Sequence, residues 1–387
     1  MIYFNFLHAP SGGGLQNSAS FLQTYVQDEI DLGDVCCFVF KGTILESICL
    51  EHSIRYIAVS KGIIGKTIFE LFFFLKIKPG DIVFSIFGPP LPFTEGKSIN
   101  IGGMALSNVF YPEVNFWGYL SPLKRFFKHL KDKYRVYRYK RLDYWIFETE
   151  LLADKAINIF SFPADRVSVV RMAPSALVSL NQVGNEVCYD LVNDKMKILL
   201  LCGAHPNKRH HLLPHLAKHL KELGRNDIQF VFTACSNEYL KGVELTIKQL
   251  GVAEFFINIG PVEPINVATL ISQVDFVMNI SLLESFSNNF VEAWAMKKPL
   301  ITVSDEWAYS AAKEAALYID VLDDRIQVES FISALNSDIG NVVTRGSTIL
   351  EFYPDYNEKN ALYINAIKKA VSLGVLDDGA RKGIKLK

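Results

Sequence analysis

The sequence predicts an α/β protein with two Rossmann-like domains, each built on a parallel sheet. Short apolar runs alternate with helical patterns from end to end, which is typical of parallel strands covered by helices on both faces. The alternation starts again at Met196–Gly203, after a polar stretch that contains Pro174 and Gly184. At 387 residues the chain has room for two domains. The predicted parts are an N-terminal domain at 1–172, a linker at 173–195, a C-terminal domain at 196–356, and a C-terminal helix and tail at 357–387 that pack back on the N-terminal domain.

Each predicted strand is a short apolar run that polar or turn-forming residues bound. In the first half these runs lie at Ile2–Leu7, Val35–Phe40, Ile54–Val59, Ile82–Phe87 and Val167–Arg171. In the second half they lie at Lys197–Cys202, Gln229–Thr233, Phe256–Ile259, Phe276–Ile280, Leu300–Val303 and Ala316–Ile319. Helical periodicity falls between them, for example at Leu15–Val26, Leu212–Leu223, Val267–Ser272, Phe290–Met296 and Ala308–Lys313.

The composition is that of an ordinary globular protein, with 50% hydrophobic and 21% charged residues. A net charge of −1 gives no general argument for nucleic-acid binding. The six cysteines are scattered without a CxxC pair, so we expect reduced thiols in a cytoplasmic protein and no metal site. The most apolar run, at Ile68–Leu75, is too short to span a bilayer and contains Glu70. The chain is therefore expected to be soluble or peripheral to a membrane, with no cofactor.

The most informative stretch carries two carboxylates, Glu284 and Glu292, around the predicted start of a helix. Asn288 or Asn289 is a suitable N-cap, which would place Glu292 in or near the first turn and leave Glu284 in the loop after a strand. The helix amides would face an anion, and a carboxylate can accept paired hydrogen bonds from a sugar or ribose diol. The alternative is that Glu292 only complements the helix dipole and that Glu284 is a solvated loop acid.

A second polar segment, from Cys202 to His211, forms the turn after the first predicted strand of the C-terminal domain. Its Lys208 and Arg209 could neutralise a diphosphate. A solvated basic loop remains the alternative.

A glycine-rich loop, from Gly12 to Gly14, follows the first strand of the chain and opens a helix. Consecutive glycines allow a ligand or another backbone to approach closely, and a plain tight turn would explain them equally well. The loop is not a GxGxxG fingerprint, which disfavours NAD. The candidate residues on the phosphate or acceptor side are Gly13, Gly14, Gln16 and Asn17.

Basic and aromatic residues interleave at 123–141, the one strongly basic region of the chain. This pattern suits an anionic membrane surface or a lipid diphosphate acceptor, and a solvated helix face is the alternative. Single-stranded nucleic acid would also fit the segment, but the neutral chain argues against it.

The segment from Glu284 to Ala293, followed by Lys297–Ile301, resembles the E-x7-E signature of family-four retaining glycosyltransferases. Gly260 and Val262 resemble the "G-x-V" turn of that family, Lys208 its phosphate-binding lysine, and the glycines at 12–14 its N-terminal glycine loop. The resemblance covers most of residues 196–320 and only loosely the N-terminal half.

The resemblance implies a GT-B architecture, in which two Rossmann-like domains face each other across a cleft that holds the active site. The C-terminal domain would bind a nucleoside-diphosphate sugar and the N-terminal domain a glycan or lipid-linked acceptor, without a metal. Glu284 would contact the donor sugar and Glu292 the ribose. The backbone amides of Ser287, Asn288 and Asn289, with Lys208, would stabilise the departing diphosphate, and Gly260 and Val262 would border the base.

Two departures from the family pattern keep other functions open. Ala204 stands where the family commonly has an arginine, for which Arg209 is a candidate replacement, and Ser287 stands where it has a glycine. The expected function is sugar transfer in surface polysaccharide synthesis at the inner face of a bacterial membrane. The alternatives are a nucleotide-sugar epimerase of the same architecture and a catalytically degenerate subunit that binds sugar or acts as a scaffold.

Overall fold

The computed structural model describes residues 1–10, 12–27, 34–104, 106–184 and 188–377. Residues 185–187 of the predicted linker and 378–387 of the predicted tail lie outside this part of the chain. The chain divides into two compact units. The N-terminal unit comprises Met1–Arg171 with Tyr356–Lys387, and the C-terminal unit comprises Met172–Asp355. None of the described helices is long and apolar enough to cross a membrane.

The N-terminal unit is built on a seven-stranded parallel sheet with the strand order β3-β2-β1-β4-β5-β6-β7. Its strands are β1 (Ile2–Asn5), β2 (Val35–Phe40), β3 (Tyr56–Val59), β4 (Asp81–Ser85), β5 (Ser98–Gly103), β6 (Tyr144–Phe147) and β7 (Val167–Val169). The strand order reverses between β1 and β4, which are neighbours in the sheet. Ligands of open α/β sheets bind outside the carboxyl ends of the strands at such a switch point.

Helices cover both faces of this sheet. They are α1 (Gly12–Gln27), α2 (Ile44–Glu51), α3 (Ile63–Phe73), α4 (Pro122–Tyr139), α5 (Glu150–Phe160) and α13 (Tyr356–Asp377). One core places Phe21 of α1 and Tyr363 of α13 against Phe4 and Phe84 of the strands. The last helix is held on α1 because Asn360 donates to Thr24 Oγ1 at 2.8 Å and to Ser20 Oγ at 3.1 Å. On the other face, Phe69 and Phe73 of α3 pack against Phe38.

The C-terminal unit contains a six-stranded parallel sheet with the order β10-β9-β8-β11-β12-β13. Its strands are β8 (Met196–Leu200), β9 (Ile228–Phe232), β10 (Phe256–Asn258), β11 (Phe276–Asn279), β12 (Leu300–Val303) and β13 (Leu317–Ile319). The short antiparallel pair β14 (Val321–Leu322) and β15 (Arg325–Ile326) follows the sheet. The switch point of this unit lies between β8 and β11, which are paired in parallel.

The strands of the C-terminal unit are mostly fully buried, as expected for a parallel sheet with helices on both faces. The helices are α6 (Leu213–Glu222), α7 (Glu238–Leu250), α8 (Val267–Ser272), α9 (Asn288–Ala295), α10 (Glu306–Ala312), α11 (Val328–Leu335) and α12 (Ile339–Leu350). Trp294 of α9 anchors the region after β12, because its indole N–H donates to the carbonyl of Ala315 at 2.9 Å.

The predicted fold class is confirmed, since both units are α/β with parallel sheets. Four strands were not predicted: β5 and β6 of the N-terminal sheet and the short pair β14 and β15. Strand β5 contains Asn100 and two glycines, a composition that disfavours a strand, but buried hydrogen bonds satisfy the Asn100 side chain. Several predicted strands ran two residues too far, as at Leu7 and Phe87, because the apolar run continues beyond the last paired residue.

Candidate functional site

An ion pair joins the two loops at the switch point of the C-terminal unit. Lys208 lies in the loop that follows β8, Glu284 lies in the loop that follows β11, and the Lys208 ammonium donates to Glu284 Oε1. Asn207 ties the same loops through the backbone, since its side chain donates to the carbonyl of Leu283 at 3.0 Å and accepts from Leu283 N–H at 3.2 Å. Two residues that are 76 positions apart therefore meet where an α/β sheet binds ligands.

In the part of the chain that the structure describes, every hydrogen bond assigned to Glu284 reaches the same oxygen, Oε1. Asn279, the last residue of β11, donates to Oε1 at 3.3 Å, and the hydroxyl of Ser281 and the ammonium of Lys208 donate to the same atom. Within the described residues no donor is assigned to Oε2. The carboxylate is thus fixed in direction while its second oxygen is available to accept a hydrogen bond from a ligand hydroxyl.

Lys208 remains a cation in this setting. Burial lowers the pKa of its ammonium, but the facing Glu284 carboxylate and the hydrogen bond between them more than offset this effect, and the pKa is raised. The neighbouring groups are neutral, since burial raises the pKa of the Cys202 thiol to about 11 and lowers the pKa of His210 to about 4. An ammonium has three donors, so Lys208 can keep Glu284 and still donate to an anion.

Helix α9 begins beside this pair, and its N-cap differs from the predicted one. The N-cap is Ser287, whose carbonyl accepts the first helical hydrogen bond, from Phe290 N–H at 3.0 Å. The predicted cap residues Asn288 and Asn289 are the first two residues of the helix. The cap is displaced because Asn279 donates to Ser287 Oγ at 2.6 Å, while Asn289 turns inward and donates to the carbonyl of Leu201 at 3.1 Å.

Glu292 is the fifth residue of α9, just past the first turn and one or two residues later than a cap at Asn288 or Asn289 would place it. A carboxylate there gains little from the helix dipole, which acts mainly at the terminal turn. The side chain is partly buried, and burial raises the pKa of Glu292 to about 7. Glu292 is therefore a carboxyl group that can change its charge near neutral pH.

Arg209 follows Lys208 but points to a different partner. Its backbone is left-handed, with a φ of 52°, and its Nη1 lies 4.0 Å from Asp305 Oδ2. Burial lowers the pKa of the guanidinium, and the Asp305 carboxylate opposes that shift. Nη1 is buried and has no hydrogen-bond partner in the described chain. In the described chain its one ion pair is with Asp305, and the Asp324 carboxylate also acts on it. These contacts do not identify Arg209 as the replacement for the family arginine whose position Ala204 occupies.

Three further predicted residues border open space at strand ends of this unit. A methyl group built on Gly203 or Gly260 would meet no atom within 4 Å. Gly260 adopts a φ of 75°, which an L-residue rarely adopts, and its N–H donates to Asn258 Oδ1 at 3.1 Å. Val262, two residues on, is partly exposed. The glycines leave room beside the backbone, as a ligand would require.

The predicted residues Gly13, Gly14, Gln16 and Asn17 belong to the N-terminal unit. The structure places them in the first turns of α1 rather than in a loop. Gly14 packs closely, since a methyl group there would lie 3.1 Å from the Cβ of Ala9. Gln16 is exposed, and Asn17 Oδ1 accepts from Lys359 Nζ at 3.0 Å, which gives Asn17 a structural contact with α13.

Sequence reasoning missed Asn279, Ser281 and Asn207, the residues that position the ion pair. A signal was present, since Asn279 is a polar residue at the carboxyl end of a buried strand. Among the described residues no group of three or more His, Cys, Asp or Glu side chains is arranged to hold a metal ion.

The comparisons with known proteins concern the fold and the segment that contains this site. Residues 190–338 match the family model described as "Glycosyl transferases group 1". This segment contains Lys208, Glu284 and Glu292, so the site residues of the C-terminal unit lie within a region typical of glycosyltransferases. No curated protein matches the chain in sequence.

Solved structures of similar fold cover almost the whole chain. A glycosyltransferase from Rickettsia africae has 13% identity and a TM-score of 0.65, with 96% of this chain and 98% of that chain covered. Anabaena HepE, solved with UDP and glucose, has 13% identity and a TM-score of 0.63, with 95% and 99% covered. WaaG, described as a glycosyltransferase involved in lipopolysaccharide biosynthesis, has 12% identity and a TM-score of 0.64, with 94% and 98% covered. The chain therefore has the GT-B glycosyltransferase fold.

Proposed function

We propose that this protein is a retaining glycosyltransferase that moves a sugar from a nucleoside-diphosphate sugar to a glycan or lipid-linked acceptor. The observation that carries the proposal is the Lys208–Glu284 pair at the β8–β11 switch point. It places a fixed cation and a directed carboxylate at the sheet edge where phosphate-bearing ligands bind. The match of residues 190–338 to a glycosyltransferase family supports the same conclusion.

The departing diphosphate develops negative charge during transfer, and the site supplies the charge that stabilises it. Lys208 would donate its remaining N–H groups to the phosphate oxygens. The first N–H groups of α9, at Asn288 and Asn289, lack intrahelical acceptors and would donate as well. Donors that are already oriented need no reorganisation when the charge develops, which makes this kind of stabilisation effective without a metal ion.

Glu284 would hold the donor sugar, and Glu292 would hold the ribose. The oxygen Oε2 of Glu284 would accept from a sugar hydroxyl, since Oε1 already accepts from Asn279, Ser281 and Lys208. A carboxylate at Glu292 can accept two hydrogen bonds from a vicinal diol. Gly203, Gly260 and Val262 would leave room for the sugar and the base.

The acceptor is proposed to be a growing surface polysaccharide or its lipid-linked precursor, with the enzyme at the cytoplasmic face of the membrane. The similarity in fold to WaaG supports this assignment, and the similarity to HepE, solved with UDP and glucose, makes UDP-glucose the first donor to test. The basic residues 123–141 are the proposed contact with an anionic membrane.

The experiment is a screen of nucleoside diphosphates by thermal shift, followed by a transfer assay with the donor of the preferred base. Ligand binding raises the melting temperature by mass action. Transfer must then depend on an added acceptor, and NMR of the product must show the anomeric configuration of the donor. Conversion of the donor without an acceptor would instead identify an epimerase, and binding without turnover would identify a degenerate subunit. Unchanged turnover in both Glu284→Ala and Lys208→Ala would refute the site assignment.

A further inference from the structure

Two helices of the N-terminal unit, α3 and α4, expose apolar residues on their outward faces. In α3 and just after it, Ile64, Ile68, Leu71 and Leu75 are spaced i, i+4, i+7 and i+11, so they share one helix face. Their exposed fractions run from 46% to 77%, and Phe72 on the same side is 65% exposed. The opposite face of α3 packs on the sheet through Phe69 and Phe73. The helix therefore has a second apolar face, which the described part of the chain leaves uncovered.

Helix α4 repeats this pattern with the same spacing. Leu123, Phe127, Leu130 and Tyr134 form its outward face, with exposed fractions between 54% and 68%. Two further aromatic residues on this side, Phe126 and Tyr137, are also exposed. The inward side is held by Asp132, which accepts from the indole N–H of Trp117 at 2.7 Å. An exposed apolar face of this size marks an interaction surface.

The two helices lie on the same face of the sheet. The connections β3–α3–β4 and β5–α4–β6 advance in the same direction along the sheet, and right-handed crossovers place both helices on one side. The loop after β4 contacts both of them. Phe93 packs against Phe74 at the end of α3, while Pro90 accepts from Arg138 of α4 and Glu95 pairs with Arg141 at 3.4 Å.

Phe93 belongs to the same surface. It is 58% exposed and adopts a φ of 62°, a left-handed conformation that is rare for a bulky residue. This strained backbone holds the exposed Phe93 ring beside Phe74 at the end of α3.

Positive charge flanks the apolar faces. Residues 123–141 contain nine Lys and Arg residues against one acid, Asp132. On α4 the exposed side chains of Lys124 and Lys131 border one side of the apolar face and Lys133 borders the other. Lys76 and Lys78 follow the end of α3. Two copies of this surface would repel each other, whereas an anionic bilayer offers both an apolar interior and a negative surface.

We propose that α3, Phe93 and α4 together form a two-helix surface that inserts its apolar side chains into an anionic bilayer. This inference rests on the proposed function only for the location of the acceptor, because it deepens the expected contact of residues 123–141 with a membrane. It adds α3 as a second inserting helix and makes apolar insertion, rather than charge attraction alone, the basis of binding.

The test is flotation of the whole protein with phosphatidylcholine vesicles that contain or lack phosphatidylglycerol. The variant Ile68→Ser/Phe72→Ser removes apolar area from α3 only, and we expect its partition onto anionic vesicles to fall at least about tenfold. The matched control is Leu245→Ser on α7, a residue that is 56% exposed in the C-terminal unit and should bind as the parent protein does. Replacing both Lys124 and Lys133 by Gln should weaken binding about fivefold for each charge, on anionic vesicles alone.

A second measurement tests directly whether the side chain at position 72 enters the bilayer. Phe72→Trp should gain fluorescence that brominated lipids quench, whereas Leu245→Trp should not. Each α3 variant should also keep the melting temperature of the parent and its turnover of a water-soluble donor, because the substituted side chains are exposed. If the parent protein does not turn over any donor, the proposed glycosyltransferase activity is refuted, but the proposed membrane surface is not. Unaltered vesicle binding by Ile68→Ser/Phe72→Ser, or a dimer that this variant dissociates, would overturn the membrane surface.

Discussion

The ammonium groups of Lys66, a residue of α3, and of Lys208 both lie at the switch point of their own sheet, and their surroundings shift their pKa values in opposite directions. Lys208 faces the carboxylate of Glu284, and its pKa is raised. Lys66 donates to the carbonyl of Leu7 at 3.0 Å and contacts His8 Nδ1 at 2.9 Å. Burial lowers its pKa to about 8 despite the nearby Glu70, and the cations Arg138, Arg135 and Lys131 lower it further.

The contrast shows what a partner does to a buried lysine. Glu284 keeps one ammonium charged, so that Lys208 is suited to a task that needs a permanent cation. His8 cannot do this, because burial and then Lys66 hold its own pKa well below the usual range and the ring stays neutral. The switch point of one sheet therefore holds a fixed charge, and that of the other holds an ammonium that can release its proton.

The largest effect is expected for catalysis. Lys208→Ala should lower kcat by about 10²–10³, or about 3–4 kcal/mol, if Lys208 stabilises the departing diphosphate. The fold should survive, because Ser281 and Asn279 still donate to Glu284. Steady-state rates with saturating donor measure the effect, and Lys241→Ala on exposed α7 is the control. A decrease in kcat of less than tenfold would contradict the role of Lys208 in stabilising the departing diphosphate.

The two switch points also differ in how much space they leave. A methyl group at Gly88, just after β4, would overlap the His8 ring, whereas one at Gly203, just after β8, would meet nothing within 4 Å. Gly88→Ala should therefore reduce the free energy of unfolding of the N-terminal unit by about 3 kcal/mol. Gly203→Ala should change that of the C-terminal unit by less than about 0.5 kcal/mol. Urea unfolding measures both, and equal losses would show that the sites are equally crowded.

The third prediction concerns the pH dependence that Lys66 produces. The unfolded chain keeps this proton up to about pH 10.4, and the native protein releases it from about pH 8. The unfolded state thus binds more protons between these values, and stability rises with pH across the window, by about 2 kcal/mol. Lys66→Met should lack that rise. Burial also lowers the pKa of Lys359 to about 8. Lys359 contributes equally to the stability of the parent and of Lys66→Met, so its effect cancels when the two pH profiles are subtracted. Parallel pH profiles would contradict the environment assigned to Lys66.

The features of the fold and the site that the sequence predicts are those that depend on residues close together in the chain. The parallel sheets follow from local alternation, and Lys208 and Glu284 stand out as polar residues in loops after apolar strands. Their pairing depends on β8 and β11 becoming neighbours, which no local pattern specifies. The N-cap at Ser287 likewise depends on Asn279 from a preceding strand.

The outward apolar face of α3 shows the same limit in another way. The run Ile68–Leu75 is apolar on nearly every side, so its periodicity cannot say which face packs on the sheet. Only the contacts of Phe69 and Phe73 decide that Ile68, Phe72 and Leu75 are left exposed.

The smallest expected effect separates the two carboxylates of the C-terminal unit. Since burial raises the pKa of Glu292 to about 7, this group is mostly protonated at pH 6 and mostly ionised at pH 8. Only the carboxylate accepts paired hydrogen bonds from a ribose diol, so affinity for the donor should rise about tenfold over that range, or about 1.4 kcal/mol.

Calorimetry with a nucleoside-diphosphate sugar measures this change, because such a donor has no terminal phosphate that titrates. Glu292→Gln should bind about tenfold more weakly than the parent at pH 8 and show no pH dependence. Glu244→Gln, which removes an exposed charge from α7, should keep the parent profile. If the rise persisted in Glu292→Gln, another group would titrate on binding, and Glu292 would lose its proposed contact with the ribose. If donor affinity rises with pH only in proteins that keep Glu292, this carboxyl group is the one that titrates on binding. Glu284, which accepts a hydrogen bond from Lys208, then has a different role.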